Sequence, residues 1–166
     1  MDKDQQLRDE RLVFYRQDME KIEAVFQEFL ELSGSLCAML VDKDGHLITQ
    51  AGHTMSYDPD TISALVAGSF AATCEMARLL GEEEFSLLFH QGKKESIQLA
   101  LVGDRSLIAI VFDVSTTLGL VRLYSAEMVA KLVDILEKAK KRPQAETLAV
   151  NFGAVVDDNL DGVFGG

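Results

Sequence analysis

The chain has 166 residues, 48% of them hydrophobic and 26% charged, and its 27 acidic against 16 basic residues leave a net charge of −11. A chain of that size fits one domain with a tail, since a single core buries enough apolar surface to fold alone. The negative field excludes nucleic acid and anionic lipid as natural partners, and no uninterrupted apolar run reaches the roughly 18 residues of a membrane span. The polar, acidic start Met1-Asp2-Lys3-Asp4 is the reverse of a secretion signal, so the expected location is the cytoplasm. Cys37 and Cys74 lie in apolar surroundings, where reduced thiols pack as small hydrophobes, and no disulfide framework is expected.

From about Phe14 to Leu32 the apolar residues Tyr15, Met19, Ile22, Val25, Phe26, Phe29 and Leu30 recur at helical steps among charged neighbours, an amphipathic helix that Ser33-Gly34 ends. Leu36–Val41 has no polar alternation and reads as a strand covered on both faces. Asp42-Lys43-Asp44-Gly45 is a hairpin turn, with His46–Ala51 returning. Asp58-Pro59 opens a second helix, the aspartate accepting from a free amide, and the helix runs to Leu80 before Gly81. Three apolar runs follow, Phe85–His90, Ser96–Val102 and Leu107–Val114, joined by turn-rich segments as an antiparallel meander. A last helix opens after Ser115-Thr116-Thr117 and closes in the cations of Lys138–Arg142.

The order α-β-β-α-β-β-β-α, with strands grouped in hairpins, predicts an α+β sandwich on an antiparallel five-stranded sheet, not a doubly wound nucleotide fold. Residues 1–13 read as a flexible N-terminus, 14–141 as the domain and 142–166 as a flexible acidic tail.

No catalytic constellation emerges. Gly92-Lys93-Lys94-Glu95-Ser96 lacks the earlier glycine and the following helix of a phosphate loop. Asp42-Lys43-Asp44-Gly45 lacks the later ligands of a calcium loop. His46, His53 and His90 stand singly, so no metal is expected; neither cysteine has a neighbouring cation to make a thiolate, and no cofactor is implied. Glu82-Glu83-Glu84 reads as a solvated loop.

The informative segment is the middle helix, apolar or small nearly all round. Ile62, Leu65, Val66, Ser69, Ala72, Thr73, Met76 and Leu80 form one stripe, expected to lie on the sheet. Ala64, Ala67, Gly68, Ala71 and Glu75 form a second line. Solvated helix faces normally carry long charged side chains, and a glycine inside a helix costs about 1 kcal/mol relative to alanine. A face of alanine and glycine fits close approach of a partner protein; it also fits packing on another helix of the chain or on a twin helix in a dimer.

Val41-Asp42-Lys43-Asp44-Gly45-His46-Leu47-Ile48 with Ala51-Gly52, then Ala67-Gly68-Ser69-Phe70-Ala71-Ala72, and Leu118-Gly119-Leu120-Val121-Arg122-Leu123, resemble the roadblock/dynein light-chain family. Gly81-Glu82-Glu83-Glu84-Phe85, Phe89-His90-Gln91-Gly92 and Val102-Gly103-Asp104-Arg105 are similar to the bacterial members that partner Ras-like polarity GTPases. The resemblance covers roughly residues 14–138. It implies the middle helix on one sheet face, the terminal helices on the other, and a homodimer with a continuous sheet.

Phe85, Leu87 and Phe89 would then lie on the strand that pairs with its copy, which also removes an apolar edge that would template aggregation. The resemblance further implies GTPase docking at Ala64, Ala67, Gly68, Ala71 and Glu75, and stimulated hydrolysis through the GTPase's own arginine and glutamine. An arginine supplied in trans can contribute about 10³–10⁵ to GTP hydrolysis, which leaves Arg78, Arg105 and Arg122 as alternatives. A scaffold that binds without stimulating is the competing function. In the tail, Leu160, Val163 and Phe164 at helical spacing are expected to dock on the GTPase or another polarity protein, against a merely solubilising role. A cell pole is the expected place of action.

Overall fold

The computed structural model describes residues 16–53, 58–83 and 87–141. Its elements run α1 (Arg16–Ser33), β1 (Cys37–Asp42), β2 (Leu47–Gly52), α2 (Pro59–Leu79), β3 (Leu87–Gln91), β4 (Glu95–Val102), β5 (Ser106–Asp113) and α3 (Leu118–Lys140). The strands form one sheet in the order β2-β1-β5-β4-β3, every neighbouring pair antiparallel. Sequence and structure agree on this order.

β1 and β5 are the runs without polar alternation, and they sit inside the sheet with both faces buried. Alternate residues therefore feed two cores. On one side Ala38, Leu40, Ile108, Ile110 and Phe112 meet Ile22, Phe26 and Phe29 of α1 and Val121, Met128 and Leu132 of α3. On the other, Cys37, Met39, Val41, Leu107, Ala109 and Val111 meet Val66, Ala67 and Phe70 of α2. Met39, Phe70, Leu99 and Phe112 are all buried.

Local chemistry sets the boundaries. The Gly34 amide donates to the Leu30 carbonyl (3.1 Å) in the left-handed conformation, φ 68°, that stops α1. At the β1–β2 turn the Asp42 carboxylate accepts from the His46 amide (2.9 Å) and the Asp42 carbonyl from the Gly45 amide (3.1 Å). The Asp58 carboxylate, expected to cap a backbone amide of α2, instead accepts from the Thr61 hydroxyl (2.8 Å); Pro59 supplies the preset first turn. At the other end the Glu82 amide donates to the Ala77 carbonyl (2.9 Å) and the Gly81 amide to that of Arg78 (3.2 Å), with Gly81 at φ 77°: a Schellman closure.

The described residues up to Leu136 form one compact unit, and Glu137 begins a second, of which 137–141 are described. Phe85 and the tail residues Leu160, Val163 and Phe164 lie outside the described residues.

Candidate docking face on the middle helix

Because α2 is apolar nearly all round, its orientation is decided by contact with the sheet and not by periodicity. The inward residues are Ser63, Val66, Ala67, Phe70, Thr73 and Ala77. This corrects the stripe expected from sequence: Val66 and Thr73 are buried and Ile62 half-buried, but Leu65 (61% exposed), Met76 (52%), Leu80 (72%), Ser69 and Ala72 face outward. Phe70 provides the reason. It is the largest side chain of the helix, and burying it draws Val66, Thr73 and Ala77, three, four or seven positions away, onto the sheet with it.

The second line is also corrected at one position. Ala64, Gly68, Ala71 and Glu75 are exposed, whereas Ala67 is 7% exposed and belongs to the core. Ala64 and Ala67 are small for an intramolecular reason. Gly45, at the tip of the β1–β2 hairpin with φ 93°, lies so close to α2 that a Cβ there would stand 3.0 Å from the Ala64 Cα and 3.6 Å from the Cβ atoms of Ala64 and Ala67. The hairpin tip is clamped on one flank of the helix, and a larger residue at 64 or 67 would lift it. Gly68 has no such reason among the described residues, where a Cβ built on it meets no atom within 4 Å.

The outward face therefore has a crest at Gly68, with Ala71 and Glu75 on the hairpin side and Leu65, Ala72 and Met76 on the other, and Leu79 (84% exposed) near its end. Between Asp60 and Glu75 it carries no charge. Glu75 pairs with Arg78, three residues on and in solvent. Of the three arginines weighed as hydrolysis groups, Arg78 alone shares this face. Arg105 is in the β4–β5 turn, where its carbonyl accepts from the Lys43 amide (3.1 Å), and Arg122 is on α3, across the sheet.

By length and composition α2 meets the standard of a membrane-crossing helix, which the lack of an uninterrupted apolar run argued against. Its inner face packs on the sheet of its own domain, as a covering helix does.

Two features escaped sequence reasoning. Gln98, within an apolar strand, is fully buried; its amide nitrogen donates to the Ser125 hydroxyl (2.9 Å), which donates to the Arg122 carbonyl (3.1 Å), and its Oε1 has no partner. The stack of Phe89 on Phe112, 6.0 Å between centroids, ties the outermost strand β3 across β4 to β5. Both cysteines are free; Cys37 is in the core, where burial pushes its thiol pKa up, and Cys74 is half-buried. Among the described residues no three metal-binding side chains come together.

The fold and this face define a class. Residues 21–112 match the family model of the Roadblock/LC7 domain, and the chain belongs to that family. Among solved structures it is similar to MglB of Myxococcus xanthus, at 38% identity and a TM-score of 0.72, over 76% of this chain and 96% of that one. The gliding protein MglB of Thermus thermophilus matches at 32% identity and 0.72 over the same shares. An MglB with a tetrameric arrangement matches at 32% and 0.73, again over the same shares. No curated protein matches the chain by sequence.

Proposed function

We propose that this protein is a non-enzymatic regulator of a Ras-like small GTPase of the MglA type, acting at a cell pole in polarity and motility. As a homodimer it docks through the outward face of α2 and stimulates GTP hydrolysis by repositioning the GTPase's own catalytic residues. The observation that carries the reading is Gly68. A glycine in mid-helix costs about 1 kcal/mol relative to alanine, nothing among the described residues occupies the space above it, and its neighbours Leu65, Ala71, Ala72 and Met76 expose apolar or small side chains instead of charge. Such a face suits the close approach of another protein.

The resemblance to MglB supports an MglA-type partner and self-association. Ala64, Gly68, Ala71 and Glu75 are the docking residues, with Ala67 beneath them as their support. Leu87 and Phe89 lie on the pairing edge, and the tail residues Leu160, Val163 and Phe164 add a second contact. The test is single-turnover GTP hydrolysis by an MglA-type GTPase with this protein and with Ala71→Arg. Stimulation that the substitution abolishes is the expected result; binding without stimulation would make the protein a scaffold.

A further inference from the structure

Glu75 is out of keeping with its surroundings. It is a carboxylate on a line otherwise made of Ala64, Gly68 and Ala71, and Asp60, Glu75 and Arg78 are the only charged residues of α2. Asp60 stands fifteen residues before Glu75, about 22 Å along the axis at 1.5 Å per residue. The docking face thus presents one charged feature, the Glu75–Arg78 pair, with both side chains in solvent. An ion pair so exposed contributes little to stability, so fold stability is a weak reason for it.

The two members are not equivalent toward a partner. A chain of net charge −11 draws cationic surfaces toward it and repels anionic ones, and a carboxylate beside the crest is where that attraction can be satisfied at contact. Building on the docking reading above, we propose that Glu75 is the recognition carboxylate of this face. It takes a guanidinium or ammonium group of the docking GTPase, and Arg78 is a placeholder that holds the Glu75 side chain until the incoming cation displaces it. The flanking glycine and alanines let the partner's backbone come close enough to exclude water from the new pair, which strengthens it. Glu75 is then a specificity-determining residue: a GTPase lacking a cation at the facing position docks poorly.

The two residues give opposite expectations when removed. Binding of the full chain to an MglA-type GTPase loaded with a non-hydrolysable GTP analogue is measured at low and high salt for the native protein, Glu75→Gln, Glu75→Lys and Arg78→Ala. The expected results are a loss of about tenfold or more for Glu75→Lys, a loss of about threefold with a flatter salt dependence for Glu75→Gln, and unchanged or tighter binding for Arg78→Ala, which removes the competitor. Arg78→Ala weakening binding as much as Glu75→Lys would overturn the proposal and make the arginine the recognising group. Native affinity in Glu75→Lys would overturn it while leaving the docking reading intact. Failure of the native protein to bind would remove both.

Discussion

The two edges of the sheet are built differently. On β2, the register against β1 slips between Leu40 and Val41, α1 lies against the strand, and the last residue, Gly52, is held at φ 100° with the Leu36 carbonyl beside it. A bulge is one of the ways in which proteins keep an edge from pairing with another chain. On β3 the register against β4 is unbroken from Leu87 to Gln91, and Leu87 is exposed to 40%. One edge carries a slipped register and the other is regular along its described length. A regular edge is the better template for pairing with a second copy, and β3 is the strand proposed above for that pairing.

Substitutions can break this contrast at either edge. The largest effect is expected at the β2 edge. A Cβ at position 52 would fall 2.2 Å from the Leu36 oxygen in a backbone conformation that side chains rarely adopt, so Gly52→Ala should lower stability by about 3 kcal/mol, read from chemical denaturation. Next comes the regular edge: Leu87→Asp places like charges at the pairing strand and should weaken self-association about tenfold or more by analytical ultracentrifugation, whereas Gln50→Asp on β2 should leave it unchanged.

Smaller effects sharpen the contrast by probing the strands behind the regular edge. Gln98 pairs with Phe89 of β3 and carries an orphaned amide oxygen, so Gln98→Met should leave the melting temperature unchanged or raise it, by at most about 1 kcal/mol in stability. The smallest concerns Asp113, at the end of β5. The Ser115 hydroxyl and amide donate to its carboxylate and hold its pKa below the ordinary 3.8. A depressed carboxylate pKa contributes stability that is present above the unfolded value and is lost as the pH falls through the folded one. Asp113→Asn should therefore remove that small contribution at neutrality and flatten the acid limb of the stability curve below about pH 4, where the native protein has already lost it.

Much of this was legible in the sequence, and what was not has definite causes. The eight elements follow from periodicity and turn chemistry, because α1 alternates apolar and charged residues and the hairpins carry Asp-Gly and Gly-rich turns. The rotation of α2 did not follow, since a helix apolar on every side gives periodicity nothing to choose between, and only contact with the sheet turns Phe70 inward and Leu65 and Met76 outward. The reason for small residues at 64 and 67 lies in Gly45, some twenty positions earlier, and the partner of Gln98 lies 27 residues later. Neither contact leaves a local pattern. The slipped register of β2 is likewise invisible in the composition of His46–Gly52, though it distinguishes the two edges.

The proposed function joins the regular β3 edge to the docking face: a dimer whose β3 strands pair would present two α2 helices together to a GTPase. The most direct test is the rate of single-turnover GTP hydrolysis by an MglA-type GTPase in the presence of Leu87→Asp, which leaves every residue of the α2 face in place. The account predicts stimulation by the native protein and its loss in the dissociated variant. Full stimulation by a protein shown to be monomeric under the assay conditions would contradict it.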